Sequence, residues 1–131
     1  MNTHFAKIVT AVVLLFSTPG FAQSAAIKKS SLLGCWTDSR EESQSAKTKV
    51  FRHCDYKKFP VSRFRFQVQL DKNNKCSYME LAPNDAHKMV AGTWTFDEKT
   101  AILEIKDKQG KRVEKLLITE AKTDRLEAQK Q

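Results

Sequence analysis

The sequence predicts an all-β protein, an antiparallel up-and-down meander barrel of about eight strands. Three observations carry that expectation. From Arg63 to Leu70 apolar and polar residues alternate without a break, with Phe64, Phe66, Val68 and Leu70 on one face and Arg63, Arg65, Gln67 and Gln69 on the other. A period of two over such a length marks a half-buried strand and not a helix. Short β-rich stretches recur at roughly ten-residue intervals with turn chemistry between them. Finally, Gly-x-Trp-Thr occurs twice, at Gly34–Thr37 and Gly92–Thr95, and these copies hold the chain's only two tryptophans. The spacing puts glycine and indole on the same strand face, where backbone packs closely beside a large ring.

The elements follow in order. His4 and Lys7 flank the start of an apolar run, Ile8 to Phe16, which Pro19-Gly20 ends. Gly20 and Ala22 put small residues at the −3 and −1 positions of a cleavage site. The run is well short of the ~20 residues a membrane-spanning helix needs. Residues 1–22 are therefore expected to be a cleaved signal peptide, and the protein to be periplasmic or secreted rather than membrane-spanning. Taking 22 from 131 residues leaves 109, one small domain with a single core, and the loss of Lys7 moves the net charge from +8 to +7. Residues 23–30 read as a mobile leader, and residues 31–131 as the barrel domain. Leu32-Leu33-Gly34-Cys35 imitates a lipid-attachment box, but Lys28-Lys29-Ser30-Ser31 separates it from the apolar run, and Cys35-Trp36 fits a strand better.

The first strand is expected over Ser31–Thr37, followed by a polar loop, Asp38–Ser45, and a second strand over Thr48–Cys54 with weak alternation. Asp55–Ser62 is a proline-broken connection carrying Tyr56 and Phe59. After Arg63–Leu70 comes Asp71-Lys72-Asn73-Asn74-Lys75, a turn because Asn and Asp tolerate positive φ. Cys76–Leu81 returns as an antiparallel partner, and Ala82–Lys88 leaves the sheet. Val90–Phe96, Ala101–Lys106, Lys111–Thr119 and Asp124–Ala128 complete the strands, with tight turns at Asp97–Thr100 and Asp107–Gly110. No stretch sustains a helical period. Pairing the last strand back onto the first would leave no open edge.

With these residues in place, the chain resembles the lipocalin-like (calycin) domains of small exported bacterial proteins. The resemblance rests on the early Leu-x-Gly-x-Trp strand, the Phe-x-Phe strand ending in an Asp/Asn turn, and the mid-chain Gly-Thr-Trp strand followed by two hairpins. Phe51–Arg63 and Leu81–His87 are similar to an uncharacterised set of such domains, and the likeness covers nearly all of residues 31–128. It implies an eight-stranded barrel that often encloses a small apolar ligand, and it implies no activity. The chain is shorter than a full-size lipocalin, lacks a clear C-terminal helix and is rich in interior aromatics.

Trp36, Phe64, Phe66, Tyr78 and Trp94 are thus the candidate interior residues, either enclosing a small apolar ligand or lipid or filling the barrel themselves. The expected function is non-catalytic binding of a small apolar or amphipathic ligand; the alternative is an envelope protein-interaction or inhibitor module with a solid core. Asn84, Asp85 and His87 form a candidate polar loop site. Arg63 and Arg65 are expected outside, since burying two unpaired guanidinium groups is costly. Three cysteines in the exported part favour one disulfide and leave a thiol or an intermolecular bond. Cys54 and Cys76 bracket a strand of ~25 Å, so Cys35–Cys54 is the freer pairing if the first two strands are neighbours. Spacings of 19 and 22 residues between the cysteines do not match paired zinc ligands, and no cofactor is expected. The lysines are scattered, with no polybasic tract or nucleic-acid-binding motif, so no nucleic-acid partner is expected. No nucleophile, base and orienting group can be placed together, so the protein is not expected to be an enzyme.

Overall fold

A computed structural model describes residues 26–81, 83 and 87–131, and the expected signal peptide lies outside the described residues. Eight strands follow one another: β1 (Gly34–Asp38), β2 (Thr48–His53), β3 (Gln67–Leu70), β4 (Lys75–Leu81), β5 (His87–Asp97), β6 (Ile102–Lys106), β7 (Arg112–Ala121) and β8 (Arg125–Lys130). All neighbours are antiparallel and the sheet closes on itself as a barrel. The fold class expected from the alternation is the one observed.

Closure differs in one respect from the expectation. β8 pairs with β2, not with β1, and β1 lies between β2 and β3. The cause is the connection after β2. Cys54–Phe66 is long enough to cross β1 and begin β3 on its far side. Its passage is fixed by the Cys35–Cys54 disulfide, with a Cα–Cα distance of 5.4 Å. Beneath it the Thr37 hydroxyl donates to Cys54 Sγ (3.3 Å) and Gln67 Nε2 to Cys35 Sγ (3.1 Å). β1 is thereby covered on both faces, with Trp36 buried inward and Thr37 buried beneath the connection.

The core is the inward face of every strand: Trp36, Phe51, Val68, Leu70, Tyr78, Trp94, Leu103, Ile105, Leu116, Ile118 and Leu126 are all buried in one cluster. A 3-10 turn at Lys29–Leu32 closes one end, with Leu32 fully buried. The expected mobile leader is therefore docked over its described part: Ile27 packs on the core, and Lys29 Nζ sits 4.8 Å from the Trp94 ring centroid. Both tryptophans anchor this closed end, as Trp36 Nε1 donates to the Leu32 carbonyl and Trp94 Nε1 to the Asp71 carbonyl, each at 2.8 Å.

The uninterrupted alternation from Arg63 to Leu70 overstates the strand, which is ladder only over Gln67–Leu70. β1 ends at Asp38, where its N–H donates to the Phe66 carbonyl, so residues 63–65 have no neighbouring strand. Asn73 and Asn74 both have φ of 60°, as the turn chemistry requires. Ala101, expected to begin a strand, instead sits at φ 57° in the β5–β6 turn. An alanine side chain is strained there, and Ala101→Gly is expected to stabilise the fold by up to about 1 kcal/mol in urea titrations.

Gly92 shows why the second Gly-x-Trp needs its glycine. A Cβ built there would collide with the Lys106 carbonyl oxygen and come within 3.1 Å of Tyr78 Cε1 and 3.4 Å of Cys76 Sγ. Because the obstacle is backbone of the neighbouring strand, it cannot swing away. Gly92→Ala is expected to cost about 2–3 kcal/mol, read from the thermal or urea midpoint.

Candidate functional site

Two places concentrate chemistry: the barrel interior with its open mouth, and the outer surface around the β2–β3 connection. The interior is filled. The void lined by Trp36, Phe51, Phe66, Leu103, Leu116 and Leu126 amounts to about 10 Å³, at the lower limit for holding a single water. Trp36, Tyr78 and Trp94 are core residues, buried as expected. Phe66 is half-buried at the mouth, its ring stacked 6.5 Å from Tyr78. Phe64 does not join them; it lies on the rim and stacks on His87, centroids 5.2 Å apart. The five candidate residues thus line no common chamber. Of the candidate polar loop site, His87 begins β5, while Asn84 and Asp85 lie outside the described residues.

Nothing in the residue pattern signals a polar group inside the mouth, yet one is present. Lys49 lies opposite Ala128, and Glu114 opposite Ile105, both on inward-facing positions. They form an ion pair at 2.7 Å with side chains 12% and 22% exposed, while Lys49 Nζ sits 5.5 Å from the Phe66 centroid. Asp38 points the same way, with Oδ1 buried and lacking a hydrogen-bond partner. Burial pushes the Asp38 carboxyl above its ordinary 3.8, against the opposing pull of Lys49 and Arg40. A carboxyl whose folded pKa is raised contributes nothing below 3.8, where both states are uncharged, destabilises the fold increasingly from there up to the folded value, and costs a constant amount above it. Asp38→Asn is therefore expected to be more stable than the parent at pH 7 and indistinguishable from it below the unfolded value. Urea titrations at the two pH values check this.

Outside, two carboxylates of the 3-10 turn Arg40–Glu42 hold Arg52 of β2 and Arg65 of the β2–β3 connection. Glu42 takes Arg52 in a two-point pair (2.8 and 2.7 Å), and Glu41 takes Arg65 likewise (2.8 and 2.6 Å). Each guanidinium is capped by an aromatic ring, Arg52 by Tyr56 at 5.0 Å and Arg65 by Phe59 at 4.9 Å, and the two rings meet edge to face. Hydrogen bonds from the arginines hold both glutamates down at about 2. Arg65 is on the outward face, as expected, yet its side chain is only 11% exposed, covered by Phe59 and Pro60 and made tolerable there by its pair with Glu41. The sequence showed the arginines and the aromatics, but not that Glu41 and Glu42, in an apparently solvated run, are their partners.

The remaining histidine and thiol near the core are engaged or buried. His53 has its two ring nitrogens against the carbonyl oxygens of Cys35 (3.2 Å) and Thr123 (2.6 Å), of which a neutral ring donates to one, and it stacks on Trp36. Cys76 is a buried free thiol raised to about 11 by its burial. Among the described residues no His, Cys, Asp and Glu gather as a metal site, and no helix is long and apolar enough to cross a membrane. The Cys35–Cys54 disulfide points to an oxidising compartment outside the cytoplasm. No known protein family, curated protein or solved structure matches the chain.

Proposed function

We propose that this protein is a non-catalytic interaction module, periplasmic or secreted, that works from its outer surface and uses a lipocalin-like barrel as a solid frame. One observation carries the reading: an interior void of about 10 Å³ leaves no room for an apolar ligand among the core side chains. A ligand cavity of the usual kind is larger by more than an order of magnitude. The β2–β3 connection supports the same reading, since the Glu41–Arg65 ion pair and the ring contacts of Tyr56 and Phe59 fix the shape of an otherwise irregular segment. A non-catalytic role is supported by the engaged histidine His53 and the poorly acidic thiol Cys76.

Native mass spectrometry of the purified protein, paired with titration of a long-chain fatty acid, tests this. The expected result is the bare polypeptide mass and no saturable change in the emission of Trp36 and Trp94. A co-purifying small molecule, or a saturable shift of that emission, would restore interior binding as the function.

A further inference from the structure

We propose that a cleft on the rim of the barrel mouth, between the β1–β2 connection and the end of β8, binds a small amino acid with an acidic side chain. The site lies outside the filled core and so goes beyond the exterior reading without reopening the interior. Asp38, Arg40, Ser43, Thr48, Lys49 and Lys130 line a space there of about 260 Å³. Clefts for drug-sized ligands run from roughly 300 to 1,000 Å³, so this one suits a smaller molecule. Backbone hydrogen bonds fix its walls. Where β1 ends, Ser39 donates its N–H to the Val50 carbonyl at 2.7 Å and leads the chain into the Arg40–Glu42 turn. Across the cleft the Lys130 N–H donates to the Lys47 carbonyl at 2.9 Å, which ties the end of β8 to the approach to β2. Between them Ser45 Oγ accepts the Thr48 N–H at 3.2 Å.

The charges around this space do not cancel internally. Lys49 is taken by Glu114 at 2.7 Å. Arg40 and Lys130 are exposed and form no ion pair among the described residues. Arg40 donates to the Phe64 carbonyl through one nitrogen, and the rest of its fork is free to donate elsewhere. The neighbouring acids are engaged, Glu41 by Arg65 and Glu42 by Arg52. Asp38 is unmatched in the other sign. Its Oδ1 is the one buried side-chain oxygen or nitrogen without a hydrogen-bond partner among the described residues. Burial outweighs the pull of Lys49 and Arg40 and leaves this carboxyl harder to ionise than usual. Two cations and one carboxylate thus face one space without opposite partners.

Those three groups select the ligand by charge. A simple anion would bring like charge to Asp38, and a metal ion or plain amine would meet Arg40, Lys49 and Lys130. A molecule with one ammonium and two carboxylates answers each group in turn. Its ammonium offsets Asp38, one carboxylate takes the planar fork of Arg40, and the other meets the point charge of Lys130. The Ser43 hydroxyl on the wall adds a further donor. Lysines elsewhere, such as Lys72 and Lys99, have no orphaned carboxylate beside them among the described residues.

Titration of L-glutamate into isotope-labelled protein at pH 7 and fixed ionic strength, followed by amide NMR, tests the proposal. Saturable shifts are expected around Asp38–Thr48 and the end of β8, with the emission of Trp36 and Trp94 unmoved. Glutarate, which has the two carboxylates and no ammonium, should bind at least about tenfold more weakly. Asp38→Asn, expected to be more stable than the parent, should bind the two compounds alike. Arg40→Gln with Lys130→Gln should weaken L-glutamate at least about tenfold, while Lys99→Gln with Lys122→Gln at the closed end should not. Thermal melts confirm that each variant folds. The absence of saturable shifts overturns the proposal. So does glutarate binding as tightly as L-glutamate, an Asp38→Asn variant that still prefers L-glutamate, or equal losses from the two cation pairs. A fatty acid that shifts tryptophan emission would overturn the exterior reading alone, since neither tryptophan lines this cleft.

Discussion

Trp36→Ala is expected to lower the stability of the fold by about 3–5 kcal/mol, the largest loss from a single side chain, and the thermal midpoint by roughly 15–30 °C. Trp36 is 1% exposed and does three things at once. Its indole fills the interior beside Val68, its face stacks on His53 at 4.2 Å, and its N–H satisfies the carbonyl of Leu32. Truncation opens a cavity in a core with almost no spare volume and leaves a buried carbonyl without its donor. The Lys29–Leu32 turn should loosen with it, since that hydrogen bond holds the turn across the barrel end. Trp36→Phe separates the contributions: it keeps most of the ring and loses the N–H, and should cost about 1–3 kcal/mol. Urea unfolding followed by circular dichroism reads both, with Trp94 as the remaining fluorescent reporter. Equal losses in the two variants would refute the cavity argument.

The same residue shows what was legible in the sequence. Gly-x-Trp placed Trp36 and Trp94 inward because glycine and indole must share a face, and Gly92 proves to be the position where a Cβ does not fit. The Asn73-Asn74 turn was equally plain, as local chemistry dictates it. The insertion of β1 between β2 and β3 was not, because periodicity reports which face of a strand is apolar and says nothing of its neighbour. For the same reason the alternation at Phe64 ran past the end of the ladder. The Lys49–Glu114 pair was hidden by a separation of 65 residues; each residue alone looks like a surface charge, and only the partner makes an inward position tolerable. Glu41 and Glu42 were hidden likewise in a polar run. What the sequence carries is local shape and face; what it conceals is which distant charge each charge will meet.

Removing the disulfide tests the other non-local feature. The double variant Cys35→Ser with Cys54→Ser is expected to lose about 3 kcal/mol, as is the parent protein under reducing conditions. The bond joins residues 19 apart, and cross-linking a loop of that length chiefly restricts the unfolded chain. It also marks where the β2–β3 connection departs from β2 to cross β1, covering Thr37 and Gln67. The two effects separate experimentally. If the unfolded state bears the loss, the folded variant should keep the Glu41–Arg65 and Glu42–Arg52 clamps, and trypsin should cleave at Lys57 and Lys58 no faster under native conditions than in the parent. If the sulfurs hold the connection down directly, cleavage there should accelerate well beyond the change in global stability. Reductant should leave the double variant unmoved, because its one remaining cysteine, Cys76, is a buried free thiol and no disulfide is left to reduce. A stability loss below about 1 kcal/mol would mean that the unfolded chain already holds residues 35 and 54 close together.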